Sequence, residues 1–235
     1  MPARVLRVPG LVAANTVQFL MVAAYFGFQF LLAVELQLVL GLDASATGWA
    51  FLPTPVMIAV VSLGLAGRLI ARWGARTVLL TGLGLATVGF LLLARLPADG
   101  AYVADVLPSM LVFGVAGGLT LPAVTTLAMA GATDTDAGLA SGLANTTQQV
   151  GGAVGLAALA TLAAARSDGL RAAGWAETAA LAGGYRTAFA VAAALVVAAG
   201  LVALTTLPRH PAGAAPSDPV GAGVGIDPHR SAASG

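Results

Sequence analysis

Apolar residues dominate six long stretches of the chain, and none of these stretches carries a charged side chain. Each is 18 to 29 residues long, and they lie at 8–34, 44–67, 77–94, 106–133, 137–165 and 187–208. A helix needs about 20 apolar residues to cross a bilayer, and in lipid the backbone has to satisfy its own hydrogen bonds. The pattern predicts an all-α integral membrane protein with six transmembrane helices, near 10–33, 47–67, 77–95, 105–130, 138–165 and 186–207.

The pattern changes at both ends of this region. Residues 1–9 are predicted to be a cytoplasmic N-terminus, and 10–207 a six-helix transmembrane domain. Residues 208–235 hold five Pro and five Gly among small and polar residues, which predicts a disordered cytoplasmic tail. His210 and His229 lie in this tail and are expected to be solvated there. The first apolar stretch is longer than the core of a signal peptide, so we expect it to be a true span.

The composition agrees with a membrane protein. Hydrophobic residues make up 58% and charged residues 9%, against about 25% charged residues in ordinary soluble domains. The net charge is +1, which leaves no basic surface for nucleic acid. The chain has no Cys, which excludes disulfides and thiolate chemistry.

Arginine is the chain's only basic residue type, and it sets the expected orientation. Seven Arg fall on the side that holds both termini and four on the other side. The short 68–76 loop contributes three of the seven and no acid. The positive-inside rule therefore predicts a multi-pass protein of the plasma or inner membrane, with both termini in the cytoplasm.

Amide and aromatic side chains interrupt two of the predicted spans. Gln18, Tyr25 and Gln29 share one face of the first helix. The fifth helix carries Ser141, Asn145, Gln148 and Gln149 at a spacing that also defines a single face. Two interpretations are open. The side chains form hydrogen bonds between helices, or they line a polar cavity. Two separate stripes in one small bundle favour the cavity.

Small residues and prolines also have recognisable positions in the spans. Three G-x-x-x-G pairs, which let helix backbones approach closely, occur at Gly114/Gly118, Gly138/Gly142 and Gly151/Gly155. Pro53, Pro55 and Pro122 are predicted to kink or weaken their helices, because proline removes a backbone hydrogen bond.

Ionisable groups give little support for chemistry within the membrane. Glu35 and Asp105 are predicted to stand at the edges of their spans, where water and headgroups solvate them. The spans carry no buried acid–base pair, phosphate loop or Ser/His/Asp set. The sequence therefore predicts a protein that is not an enzyme and that has no cofactor, metal site or catalytic residue.

The segment 67–80 reads GRLIARWGARTVLL. It resembles the loop motif of the major facilitator superfamily, G-x-L-a-D-R-x-G-r-R/K, with Ala71 in the place of the acid. By this resemblance the cytoplasmic loop motif comprises Gly67, Arg68, Arg72, Gly74 and Arg76, and its Arg residues act as a gate or latch.

Two further segments are similar to fourteen-helix drug:proton antiporters of that superfamily. Residues 36–41 and 46–53 read LQLVLG and ATGWAFLP, and residues 141–155 read SGLANTTQQVGGAVG. The resemblance covers about residues 8–208 and aligns with the C-terminal six-helix half. It implies two inverted three-helix repeats, with helices one, two, four and five along the transport path and helices three and six toward lipid.

The resemblance implies the C-terminal half of a proton-coupled exporter of drug-like or antibiotic small molecules. The expected substrate-cavity residues are Gln18, Tyr25, Gln29, Asn145, Gln148 and Gln149. The expected partners are the lipid bilayer, protons, a small-molecule substrate, and a second six- to eight-helix half or a second copy of the chain. The alternative is a non-transporting assembly partner or a truncated remnant of such a transporter. The sequence leaves the choice open.

Overall fold

A computed structural model describes residues 11–98, 100–129 and 137–206, and within these ranges all regular structure is helical. Six of the described helical segments are long and apolar enough to cross a membrane: Val12–Leu38, Ala44–Trp73, Ala75–Leu93, Tyr102–Leu127, Ser141–Ala172 and Glu177–Thr206. This confirms the predicted fold class. The predicted N-terminus 1–9 and the tail with His210 and His229 lie outside the described residues.

Eight α-helices and two π-helical turns make up the six spans. The α-helices are α1 Leu11–Leu38, α2 Ala44–Phe51, α3 Pro53–Val61, α4 Gly67–Trp73, α5 Ala75–Leu93, α6 Leu107–Met129, α7 Ala137–Ala172 and α8 Glu177–Thr206. The π turn Ser62–Ala66 joins α3 to α4, and the π turn Tyr102–Val106 leads into α6.

The second span is the irregular one, and its sequence explains why. Asp43 caps its start, where its carboxylate accepts a hydrogen bond from the backbone N–H of Ala46 at 2.7 Å. Pro53 ends α2 and begins α3, because a proline lacks the N–H that would continue the helix but fits a first turn. Thr54 then donates to the Met110 carbonyl at 3.2 Å, which fixes the broken span against α6.

The helices pack mainly against partners that are distant in the chain. α1 packs on α7 and α8, while α6 packs on α3 and α5, and α5 packs on α8. Exchanging the first three spans with the last three maps these five pairs onto one another, whereas the contact of α7 with α8 has only a weaker counterpart, between α4 and α5. Because three spans cross the membrane an odd number of times, the second unit begins on the opposite side from the first. The pairing is therefore that of two inverted three-helix repeats, in which the first helix of each repeat packs into the other repeat.

An aromatic cluster joins the two repeats. The Phe28 and Phe113 rings lie 4.3 Å apart between centroids, and Phe90 packs edge-on against Phe113 at 4.7 Å. Tyr25 adds an edge-on contact to Phe113 at 5.7 Å. All three Phe side chains are buried. The cluster therefore links α1, α5 and α6 near the middle of the bundle.

Two of the three glycine pairs lie at close helix contacts. A Cβ added at Gly155 would overlap the backbone of Ala23, and one at Gly118 would lie 2.7 Å from the Cβ of Val61. A Cβ at Gly138 or Gly142 would meet nothing within 4 Å. Gly155 therefore permits the close packing of α7 on α1, and Gly118 permits that of α6 on α3. Gly138 and Gly142 contribute to neither contact.

Candidate functional site

The six polar side chains singled out in the sequence divide into two groups. Gln18 donates from Nε2 to the Ala144 carbonyl at 3.4 Å, which joins α1 to α7. Tyr25 donates from its hydroxyl to the Phe113 carbonyl at 2.8 Å, which joins α1 to α6. These two residues form the interhelical hydrogen bonds that one of the two interpretations expects.

The other group remains open to the surroundings of the bundle. Gln29, Asn145 and Gln149 are exposed, and Gln148 is half-buried. Within the described residues, none of these four side chains forms a hydrogen bond. An amide without a partner costs several kcal/mol in hydrocarbon, on the order of 4–8 kcal/mol by transfer to cyclohexane. Water or a polar partner, rather than lipid tails, is therefore the favourable environment for this face.

The exposed amides are arranged around an aromatic ring. Phe26, which is 42% exposed, packs its ring on Gly152 of α7, where an added Cβ would lie 3.0 Å from the ring. Gln29 follows Phe26 by one helical turn, and Gln149 precedes Gly152 by one turn. We call this set the amide face: Phe26 and Gln29 of α1 with Asn145, Gln148 and Gln149 of α7. It combines adaptable hydrogen-bonding groups with an aromatic surface.

The outer surface of α8 has the opposite character. Between residues 187 and 204 its exposed side chains are all apolar, and the large ones are Val191, Val197, Leu201 and Leu204. α8 can therefore face hydrocarbon without loss, whereas the amide face cannot. This contrast separates the polar face made by α1 and α7 from a lipid-compatible surface on the sixth span.

The motif segment is more helical than a loop. Gly67–Trp73 forms α4, and the turn is reduced to Gly74, which has φ +80° and donates its N–H to the Ile70 carbonyl at 2.9 Å. A positive φ of this kind strains a residue that has a Cβ. Gly74 therefore allows α4 to stop and α5 to begin in the opposite direction with no further residue between them.

The three Arg of this segment have different surroundings. Arg76 donates to the carbonyls of Ala203 and Leu204, near the last turn of α8, the former at 3.4 Å. The end of a helix carries unsatisfied carbonyls and partial negative charge, so a cation is favourable there. Arg68 and Arg72 are exposed, and within the described residues they form no ion pair or hydrogen bond. Arg76 alone among the three joins the third span to the sixth.

Replacing Arg76 with Ala is expected to destabilise the folded bundle by about 1–2 kcal/mol, because hydrogen bonds from a charged donor to two carbonyls are lost. Arg72→Ala is the matched control on the other side of Gly74 and is expected to change stability by less than about 0.5 kcal/mol. Thermal unfolding of the purified variants in detergent measures both values. Equal effects of the two substitutions would show that the hydrogen bonds from Arg76 to α8 do not stabilise the bundle.

Glu35 was expected at a solvated edge of its span, and that expectation is wrong. The side chain is fully buried, and neither carboxylate oxygen has a hydrogen-bond partner within the described residues. The sequence does contain a signal for this position. Glu35 follows Phe28 by seven residues and Leu31 by four, so it continues the buried stripe of α1. Asp105, by contrast, is half-buried and accepts a hydrogen bond from the Ala101 N–H at 2.8 Å.

Comparison with known proteins identifies relatives for most of the chain. The sequence profile of the Major Facilitator Superfamily matches residues 2–156. A cephamycin export protein of Amycolatopsis lactamdurans is 33% identical over 168 residues, which cover 72% of this chain and 35% of that protein.

Two further relatives carry resistance names. A puromycin resistance protein of Streptomyces alboniger is 39% identical over 140 residues, 58% of this chain and 28% of that protein. A multidrug resistance protein of Mycobacterium tuberculosis is 34% identical over 142 residues, 60% of this chain and 26% of that protein. The chain thus spans about a quarter to a third of the length of these curated relatives.

Proposed function

This chain belongs to the Major Facilitator Superfamily, and from that premise we propose that it is the C-terminal half of a proton-coupled exporter of drug-like or antibiotic small molecules. The names of the relatives, one an export protein and two resistance proteins, support this direction of transport and this class of substrate. In this role the chain is a transporter and not an enzyme, since moving a solute requires no covalent change in it.

The amide face carries the proposal. Gln29, Asn145 and Gln149 are exposed polar groups within membrane-spanning helices, with no partner in the described part of the chain. Such groups are costly unless they meet water or a ligand, and intramembrane polar groups that face a cavity usually serve a pathway. Phe26 beside them offers an aromatic surface for amphipathic molecules.

The exposure of the amide face also supports a second helical bundle as a partner of this chain. An exposed amide face is unfavourable against lipid, so another bundle has to enclose it with water. A second six- to eight-helix half, or a second copy of this chain, would supply the opposite wall of the cavity.

We place the protein in the plasma or inner membrane with both termini in the cytoplasm. Seven Arg against four support this orientation. With this orientation, Asn145 and Gln149 lie in the cytoplasmic half of α7, where a substrate leaving the cell would enter, and Phe26 and Gln29 lie just past the midpoint of α1.

The proposal is tested by dye accumulation in bacteria that lack their own exporters. The chain is expressed alone and together with a candidate N-terminal half, and uptake of ethidium, a cationic amphipathic probe, is followed by fluorescence. We expect co-expression to lower the steady accumulation of the dye several-fold relative to the control cells. A protonophore, which collapses the proton gradient, should remove the difference.

Two results would contradict the proposal in different ways. Export that persists in the protonophore would exclude proton coupling and leave transport standing. Accumulation equal to the control cells, with both chains folded in the membrane, would favour the non-transporting alternative.

A further inference from the structure

Glu35 is an ionisable group deep in the packed end of α1. Its side chain has 0% exposure, and the Leu residues at positions 32 and 36 beside it are equally buried. Both of its carboxylate oxygens lack a hydrogen-bond partner in the described part of the chain. A buried charged carboxylate without partners is much more costly than a buried neutral carboxyl, so this environment suits the neutral form.

Arg186 of α8 is the cation that acts on Glu35. Its positive charge interacts with the carboxyl group, yet no ion pair within 4 Å forms between them. The Arg186 guanidinium instead donates from Nε to the Leu96 carbonyl at the end of the third span. A cation therefore stands near Glu35 but is engaged with another acceptor.

Several other ionisable groups at this end are occupied with partners of their own. On α7, Arg171 pairs with Asp168 at 2.6 Å and with Glu177 at the start of α8 at 2.5 Å. Near α6, the Tyr102 hydroxyl donates to the Ala50 carbonyl, and Asp105 bonds the Ala101 N–H. Arg186 is thus the cation placed to stabilise a charged Glu35.

A groove leads from the surface toward this region. Its volume is about 220 Å³. It lies between α1, α7 and α8, and its polar lining comes from Ser167, Asp168, Arg171 and Tyr185. Tyr185 is the residue of this lining that precedes Arg186 on α8. Leu31 and Val34, which flank Glu35 on α1, also line the groove, whereas the buried Glu35 carboxyl does not. The groove lies at the end of the bundle where α1 ends, which is the predicted outer side of the membrane.

We propose that Glu35 is a proton-binding site that holds its proton in this packed state and releases it when Arg186 leaves the Leu96 carbonyl to pair with the carboxylate. One carboxylate oxygen carries the proton, and water in the neighbouring groove takes it up on release, once a movement of the helices opens the buried carboxyl to that groove. The inference of a proton-binding site rests on the burial of Glu35 and on the lack of hydrogen-bond partners for its carboxylate. Its use as a coupling site for export rests on the proposed function.

Infrared spectroscopy of the full chain in lipid vesicles tests the site without any transport assay. At about pH 7 an exposed carboxyl group is ionised, so a protonated carboxyl band reports a buried group. We expect the wild-type chain to show this band at about pH 7 and to lose it as the pH is raised. Glu35→Gln should remove the band.

Matched variants assign the signal. Glu177→Gln makes the same chemical change in an exposed, ion-paired side chain at the same end of the bundle, and the band should remain. Arg186→Gln removes the cation that favours the charged form, so the band should persist to higher pH than in the wild type.

Each outcome of the infrared experiment tests a different part of the proposal. Absence of the band in the folded wild-type chain would overturn the proposal, and so would its survival in Glu35→Gln. A band whose pH dependence is unchanged in Arg186→Gln would overturn the role of Arg186. Each of these results is independent of the dye-accumulation test, so a failure of the proposed export function leaves the proton site to be judged on its own.

Discussion

Gly155→Leu is expected to prevent the chain from accumulating in a folded form. At Gly155 the backbone of α7 lies against the backbone of Ala23 on α1, and even a Cβ there would overlap main-chain atoms. A flexible side chain can move aside, but the backbone of a packed helix cannot do so without separating the two helices. Overpacking of a core costs about 1–3 kcal/mol for small additions, and a Leu adds three more carbons beyond the Cβ. The smaller change Gly155→Ala should destabilise by about that range.

Gly142→Ala is the matched control for this prediction. It lies on the same helix and in another G-x-x-x-G pair, but an added Cβ would meet nothing within 4 Å. Alanine also stabilises a helix by up to about 1 kcal/mol relative to glycine. The free energy of unfolding of this variant should therefore equal that of the wild type or rise slightly. Size-exclusion chromatography and thermal unfolding in detergent measure both variants. If Gly142→Ala and Gly155→Ala have the same effect, the contact between α7 and α1 is not the one described.

Gln149→Leu is expected to leave folding intact and to lower export by about fivefold per folded molecule, provided that export is observed. Gln149 is exposed and unbonded in the described structure, so its loss breaks no contact of the bundle. If it binds solute or cavity water, one lost hydrogen bond is worth about 1 kcal/mol, which corresponds to about fivefold in rate or affinity. Dye export divided by the amount of folded protein in the membrane is the quantity to measure.

Two other substitutions define what this result means. Gln18→Leu removes the bond to the Ala144 carbonyl, so it should lower stability, and export should fall only with the amount of protein. Thr161→Val removes an exposed polar group from another face of α7 and should change neither quantity. Export per molecule that is unchanged in Gln149→Leu would remove Gln149 from the proposed cavity.

The three glycine pairs show which helix contacts can be predicted from the sequence and which cannot. All three pairs have the same spacing, and spacing alone predicts that each permits a close approach of helices. Only the assembled bundle distinguishes Gly155, which lies against Ala23, from Gly142, which lies against open space. The difference arises because contact depends on which face of α7 meets α1, and that is a property of two helices together.

The polar side chains of α1 likewise show that the sequence predicts a shared helix face but not the neighbours that each side chain meets. The helical period placed Gln18, Tyr25 and Gln29 on one face of α1, and the open question was whether they bind other helices or line a cavity. In the bundle, Gln18 and Tyr25 reach carbonyls on α7 and α6, while Gln29 reaches none. Side chains on one face meet different neighbours because α7 and α6 flank α1 on different sides.

The sequence by itself determined that the chain is a six-span helical membrane protein, because the length of a span and the absence of charge within it follow from the bilayer and not from any neighbour. The motif segments likewise identified the superfamily. Only the tertiary structure decided that α1 packs into the opposite repeat, that Arg76 holds the end of α8, and that Glu35 is buried. Glu35 lies near the end of its apolar stretch, where sequence position suggests solvent. It is buried because the packing of α1 on α7 and α8 extends beyond that stretch, and burial is set by contacts between helices that are far apart in the chain.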